Sequence, residues 1–376
     1  MLMEHRRDTC RIISSAPDYL SCHQIVSMKN YPGKSFFIFC FSLTIATTLF
    51  SQRKALPKVE ILNTGVKTSI RGLSVVNNNI IWVSGSNGMV GKSSNAGKNW
   101  KWMTVKGFEK NDFRDIEAFD ANTAIIMAIA DPSYILKTTD GGETWKVVYE
   151  NKTKGMFLDA MEFRDPKNGM VIGDPVDGRF FIAKTKDAGN TWNELPAEQR
   201  FVADSGEAFF ASSGTNIRMP YNGSVVIASG GKNSRLFYNK TIFNVPMTKD
   251  KESAGTNSVA VYDNYKKSSA NKIIIVGGDF MADSLIDKNC FVSNNGGKTW
   301  ERPKTPPNGY RSCVEFLNKE TIVTCGLNGV DYSFDGGRNF YSISKEGFHV
   351  CRYARLGNTV YLAGGNGKIG KLVWPD

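Results

Sequence analysis

The chain has 376 residues, 41% apolar and 22% charged, with a formal net charge of +11. This balance suits a soluble globular protein of one large or two ordinary domains. Its basic residues form no Lys/Arg run of the kind that tracks a nucleic acid, so a nucleic-acid partner is not expected and the charge reads as a moderately basic surface.

Residues 1–27 are mixed, charged and unpatterned. From Met28 the pattern changes: Lys29 and Lys34 precede an apolar run from Phe36 to Phe50, and small Ser51 stands before Gln52. A positive flank, an apolar core and a small residue at the cut describe a secretory signal peptide. The run is too short for a comfortable membrane span. The expectation is a mis-called extension over 1–27, a signal peptide over 28–51 and an exported mature chain over 52–376, periplasmic or extracellular, with no membrane span. The competing reading is a genuine extension with an uncleaved anchor. Cleavage near Ser51/Gln52 leaves a charge of about +9, so the basic balance is not a property of the leader. It also leaves Cys290, Cys313, Cys325 and Cys351 without a C-x-x-C pair, and His349 as the one histidine. A multi-His metal site is thereby excluded, and a Ser-His-Asp or Cys-His site would have to use His349. No metal and no cofactor are expected.

One short pattern recurs along the mature chain: SSNAGKNW (93–100), TTDGGETW (138–145), TKDAGNTW (185–192), SNNGGKTW (293–300) and SFDGGRNF (333–340). Ser or Thr leads, Asp or Asn is third, Gly fifth and an aromatic eighth. The gaps between the aromatics are 45, 47, 108 and 40 residues, the long one fitting two units with a motif lost near NSRLFYNKT (233–241). Ahead of each motif stand alternating stretches such as FRDIEAF (113–119), FLDAMEF (157–163) and YRSCVEF (310–316), with GEAFFAS (206–212) as the looser match in the fourth unit. Each leads into an apolar run ending near Gly, such as IIWVSG (80–85) and TIVTCG (321–326). These are strands. Seven units of about four strands, each roughly 40–50 residues long, are the signature of an all-β, seven-bladed β-propeller. The blades are expected at about 64–105, 110–150, 155–196, 204–247, 255–304, 309–344 and 347–376. The segment 58–63 supplies the strand that the last unit lacks.

The repetition itself assigns the motif a structural role, because a catalytic carboxylate is needed once and a turn clasp in every blade. Asn95, Asp140, Asp187, Asn295 and Asp335 are expected to accept backbone N–H groups of their own turns. The Gly two places on takes a positive φ. Trp100, Trp145, Trp192, Trp300 and Phe340 open the next strand and cover apolar surface near the neighbouring blade. Asn95 and Asn295 fill the acidic place with an amide, which accepts hydrogen bonds but is no ionised base.

These motifs resemble the Asp-box (BNR) repeats of sialidases and related propellers. Over about residues 57–376 the chain is similar to the bacterial relatives of the photosystem II stability/assembly factor. WVSGSNG (82–88), FRDIEAFD (113–120), DPVDGRF (174–180), GYRS (309–312) and DYSFDGG (331–337) carry the likeness. The resemblance implies an exported, seven-bladed propeller and no agreed activity. Some members are labelled oxidoreductases, but no GxGxxG lies between a strand and a helix here.

A functional site is expected at the channel mouth opposite the motifs. Aligning the inner strands puts Arg71, Arg114, Leu158, Glu207, Asn257, Arg311 and His349 in one column, with Gly72, Asp115, Asp159, Ala208, Ser258, Ser312 and Val350 in the next. The joining loop of the third unit adds Asp174, Asp177 and Arg179. Arginine guanidinium groups hold carboxylates in bidentate fashion, so this mouth suits an anionic ligand or a protein partner of a monomeric scaffold. The alternative is that the charges pair among themselves and merely solvate the mouth. A second function class, a sialidase-like glycosidase, would use Glu207 and Tyr310 as carboxylate and phenol. IRMP (217–220) resembles the sialidase Arg-Ile-Pro motif, but it lies mid-chain, and Arg218 is expected in a loop. Asp279, Asp283 and Asp287 lack calcium-loop spacing and read as an acidic loop. Cys313 and Cys325 face each other across a hairpin, either oxidised or as buried free thiols.

Overall fold

The computed structural model describes residues 55–62, 64–263 and 270–375, so the leader expected within 1–51 lies outside the described residues. The short apolar runs form antiparallel strands that pair mostly with their neighbours in sequence. The architecture is an all-β, seven-bladed propeller. The inner strands of blades one to seven are Ile70–Val75, Phe113–Ala118, Leu158–Phe163, Ile217–Arg218, Thr256–Val261, Cys313–Phe316 and Val350–Tyr353. In blade seven Lys58–Leu62 is the outer strand, running antiparallel to Ile369–Val373 from Lys58 opposite Val373 to Leu62 opposite Ile369. The start of the sheet region thus hydrogen-bonds to its end, and the ring is closed by a ladder.

The second strands show why the sequence reads as continuous apolar runs. Ile81–Gly85, Ala124–Ala128 and Ile273–Gly277 are buried at every position, because a neighbouring blade covers each face. The apolar clusters accordingly lie between blades. Trp82 of blade one packs with Ile116, Ala124 and Leu136 of blade two. Its indole N–H donates to the Asp120 carbonyl at 3.0 Å, so its one polar atom is satisfied. Truncating such a side chain to Ala costs about 3–5 kcal/mol.

The recurring motif folds the same way five times. The leading hydroxyl accepts the N–H of the Gly four residues on, at 2.9 Å in Ser93–Gly97 and 3.0 Å in Thr138–Gly142. The side chain at the third place accepts the N–H four residues further: Asn95 from Asn99 at 2.9 Å, Asp140 from Thr144 at 3.0 Å, Asp335 from Asn339 at 2.9 Å. Asp187 and Asn295 do the same with Thr191 and Thr299. Two successive residues take positive φ, as at Gly141 (78°) and Gly142 (88°), which is why Gly holds the fifth place. Hydrogen bonds from Thr144 and Thr138 hold the exposed Asp140 carboxyl well below the usual range, and those from Thr191 bring Asp187 to about 2. The aromatics cover inter-blade seams, Trp192 lying edge-on to Phe163 and Trp300 and Phe340 packing into the clusters of blades four to six.

Blade four departs from the pattern. Where the motif is missing, Arg235–Tyr238 and Thr241–Asn244 join through a two-residue turn, with Asn239 at φ 55°. Its inner strand is Ile217–Arg218 and not GEAFFAS, so Arg218 lies on a strand and not in a loop. Glu207–Ala208 instead forms a small separate ladder with Gly230–Gly231. Cys313 and Cys325 do face each other across their strands, as free buried thiols, with the Cys351 sulfur 3.7 Å from that of Cys313.

Candidate functional site

The inner strands enter the channel with a one-residue bulge. Register shifts between Ile70 and Gly72, Phe113 and Asp115, Leu158 and Ala160, and Thr256 and Ser258. The extra residues, Arg71, Arg114, Asp159 and Asn257, turn out of the ladder. Inter-blade bonds fix the matching places in blades six and seven. The N–H groups of Ile70, Leu158, Arg311 and Phe348 each donate to the second strand of the preceding blade, or the residue just beyond it, at 2.9–3.1 Å. Ser312 and His349 follow, and take the channel positions.

Arg71, Arg114, Asp159, Asp174, Tyr310 and His349 come together in a cup of about 380 Å³, walled on one side by Phe157, Phe210, Phe280 and Leu327. Arg71 is the distinctive member. Among the described residues it has no ion-pair partner, and its hydrogen bond is one from Nη1 to the Ser212 carbonyl at 3.3 Å. Burial and the charge of Arg114 hold its pKa below the ordinary arginine value. Arg114 reaches Asp112 at 3.5 Å and lies over the Phe157 ring at 6.0 Å. His349 sets Nδ1 2.8 Å from the Ile70 carbonyl, and burial, then Arg71, lower its pKa to about 4. The ring is therefore neutral near pH 7 and its Nδ1 donates, leaving Nε2 as an acceptor. Burial raises Asp174 to about 6, against the Phe209 N–H that its carboxylate accepts at 3.0 Å. Burial and Asp174 push Asp159 well above the carboxylate range. The Tyr310 hydroxyl donates to Asn257 Oδ1 at 2.7 Å.

Five of the expected site residues lie elsewhere. Arg311 occupies the place of Ile70 and Phe348, faces into its own blade, and is fully buried. Its Nε bonds Asp331 at 2.6 Å and its Nη1 bonds Asn328 at 2.6 Å and the Tyr310 carbonyl at 2.8 Å. The Glu207 carboxylate is buried and taken by Arg235, at 2.8 Å from Nε, and by Ser229, so it forms no carboxylate–phenol pair with Tyr310. Asp177 sits at φ 52° in the two-residue turn between Val176 and Arg179, and Arg179 turns back to the Arg200 carbonyl at 3.0 Å. Asp115 lies beneath the cup, accepting the N–H groups of Ile116 at 2.9 Å and Met161 at 2.7 Å.

What Asp115 touches is a plug. The segment 212–215 bonds around the ring: Ser213 Oγ to the Ser312 carbonyl at 2.7 Å, Thr215 Oγ1 to Ser258 Oγ at 2.6 Å, and Arg352 Nη2 to the Gly214 carbonyl at 3.2 Å. With the Arg71 bond to Ser212, one short segment reaches blades one, five, six and seven, so it crosses the channel. Gly214 has φ +64°, and a Cβ there would stand 2.3 Å from the Asp115 carboxyl carbon. The close approach admits only Gly.

Below the plug, three residues further along the inner strands, a second mouth of about 540 Å³ opens among Glu117, Glu162, Arg218, Glu315, Arg352 and Arg355. Here the guanidinium groups are paired. Arg218 meets Glu162 at 3.3 Å and Glu315 at 3.0 Å, Arg352 meets Glu315 at 3.9 Å, and Arg355 meets Glu117 at 3.6 Å. Burial raises Glu117 and Glu315 to about 7 each, against those arginines. Sequence reasoning missed this mouth, the aromatic wall and the plug. The glutamates were visible within FRDIEAF, FLDAMEF and YRSCVEF.

The chain is similar in fold to YCF48. Against the structure of YCF48 bound to a D1 peptide the TM-score is 0.63 at 15% identity, covering 86% of this chain and 97% of that one. For YCF48 from Cyanidioschyzon merolae the TM-score is 0.60 at 14% identity, covering 84% and 98%. The WD40 propeller domain of Doa1 gives 0.57 at 13%, covering 86% and 98%. No family model and no curated protein matches the sequence. At these identities the likeness establishes the fold.

Proposed function

We propose that this chain is an exported scaffold or assembly factor that binds a protein partner in the cup, seating a carboxylate of the partner between Arg71 and Arg114. The observation that carries the reading is Arg71, a partly buried cation whose hydrogen bond is to a single carbonyl while the arginines across the plug are all paired. A guanidinium drawn out of water without a counter-ion costs free energy, and a ligand carboxylate would recover it through charge-assisted bonds. YCF48, similar in fold, has a structure bound to a D1 peptide, which supports a peptide-binding reading. The export part of the reading is supported by the sequence pattern at 28–52, and N-terminal sequencing of the protein recovered from the periplasm or medium is expected to show Gln52 first.

The test is recovery of partners by purified wild-type protein and by Arg71→Ala/Arg114→Ala from periplasmic and membrane fractions. One complex enriched by the wild type and lost by the variant is expected. Equal recovery by both would remove the cup from the function.

A further inference from the structure

The loop between Ile273–Gly277 and Cys290–Ser293 opens on the same face as the cup. It exposes Met281, Leu285 and Ile286 at 78%, 55% and 46%, beside Phe280 and Leu327, which are also exposed. A run of large apolar side chains in water marks a contact surface more often than isolated ones do. The backbone beneath them is held. Asp279 is buried and accepts Ser253 Oγ at 2.8 Å and the Met281 N–H at 3.0 Å, and it pairs with Lys251 at 2.8 Å. The Asp283 carbonyl accepts from Tyr310 N–H at 2.8 Å and Asn328 Nδ2 at 2.7 Å. The Asp279 carboxylate and the Asp283 carbonyl thus hold the loop backbone, and the apolar side chains stand on a fixed support.

Phe280 joins this patch to the cup. Its ring lies 6.1 Å from Phe210 and 6.3 Å from Tyr310, both of the cup wall, and Leu327 belongs to both surfaces. Cation and apolar patch are therefore one continuous surface. An anionic lipid surface is the poorer occupant, because Asp283 stands beside Leu285 and would be repelled by its headgroups, while Asp287 is paired with Arg302 at 3.3 Å.

Resting on the cup reading above, we propose that the partner segment is bipartite. Its carboxylate sits on Arg71 and Arg114, and bulky apolar side chains within a few residues of it pack on Phe280, Met281, Leu285 and Leu327. The charge orients the segment, and the apolar patch selects which acidic segments bind.

Two probes separate the halves: acetyl-Leu-Ala-Leu-Ala-Asp-amide and acetyl-Ser-Ala-Ser-Ala-Asp-amide, titrated by NMR into the wild type, Arg71→Ala, and Met281→Ser/Leu285→Ser. Both loop positions are exposed, so the double variant keeps its fold, which its thermal melt checks. The leucine probe is expected to bind at least about tenfold tighter to the wild type, as burying two leucines against water implies. Met281→Ser/Leu285→Ser abolishes that preference and leaves the serine probe unchanged. If both probes bind equally and depend on Arg71, the apolar half is overturned while the cup reading stands. If the preference survives the loop variant, the patch assignment is wrong. If neither probe binds, the cup reading fails and this inference with it. Co-sedimentation with phosphatidylcholine vesicles by the wild type, lost in the loop variant, would assign the loop to a bilayer and overturn the proposal.

Discussion

The two mouths of the channel use the same residue type to different ends. On one side of the plug, Arg218, Arg352 and Arg355 each reach a glutamate, and one carboxylate, Glu315, serves two of them. On the other side, on the inner strand of blade one, Arg71 faces a carbonyl at 3.3 Å and a neutral histidine. Paired arginines are structure: their charges are spent inside the fold. An arginine kept from any carboxylate costs stability, and such costs are borne mainly at binding sites. The plug makes the contrast sharp, because it separates the two groups by only a few residues of chain.

The largest effect that would test the contrast lies inside a blade. Arg311→Ala leaves Asp331 buried without its guanidinium partner, and removing one member of a buried pair costs about 3–5 kcal/mol. Urea unfolding should show that loss, and ligand affinity at temperatures where the variant is folded should be unchanged. At the cup the pattern inverts. Arg71→Ala/Arg114→Ala should change unfolding free energy by less than about 1 kcal/mol and weaken partner binding on the order of a hundredfold. Were the cup variant to unfold like Arg311→Ala, the distinction between the buried ion pairs and the arginines of the cup would collapse.

That distinction was only partly legible in the sequence. The fold was, because the clasp motif and the strand pattern repeat and each repeat adds independent support. The site column depended on aligning single residues, where a slip of one turns a side chain to the other face. Matching Phe113 with Phe157 put Leu158 and Arg311 in the channel. The bulges and inter-blade bonds match Phe113 with Leu158, which sends Arg311 inward and brings Asp159 and Ser312 to the cup. Aligning on Glu117, Glu162 and Glu315 would have given that register from sequence alone. Blade four offered no such anchor, since its clasp motif is absent and its inner strand has two residues. The plug could not have been read at all: Ser212–Thr215 looks like any polar loop, and only tertiary contacts carry it across the channel.

The second mouth should reveal through pH that burial outweighs the pairing of its glutamates. Glu117 and Glu315 have folded-state values near 7, against 4.5 for an ordinary glutamate. Between about pH 4.5 and 7 the folded state therefore binds more protons than the unfolded chain, and stability falls as pH rises through that window. Glu315 keeps 21% of its side chain exposed, so the larger share is assigned to Glu117. Calorimetric melts of the wild type should lose on the order of 1–3 kcal/mol from pH 5 to 8 through these groups. Glu117→Gln should flatten the slope. A slope unchanged in the variant would mean that Glu117 is ionised at pH 5, with Arg355 outweighing its burial.

The smallest effect belongs to the cup, and it reports occupancy directly. His349 is the one histidine in residues 52–376, so its ring signals in a protein of those residues are unambiguous. Its value near 4 comes from burial and then from the positive charge of Arg71, with Arg114 adding to it. A carboxylate seated on those arginines cancels part of their field and favours the imidazolium, so the pKa in the complex is higher than in the free protein. A group whose pKa rises on binding takes up protons with the ligand, and binding then strengthens as pH falls from about 6.5 towards 5, above the range in which the ligand carboxylate itself protonates. The expected gain is about two- to fivefold in affinity between pH 7 and pH 5, reduced in His349→Gln to the part that comes from Asp174, which burial raises to about 6 in the same cup. NMR titration of His349 with and without the aspartate probes measures both quantities. A pKa that stays near 4 in the saturated complex would place the bound carboxylate away from Arg71, and the contrast between the two mouths would then need another explanation.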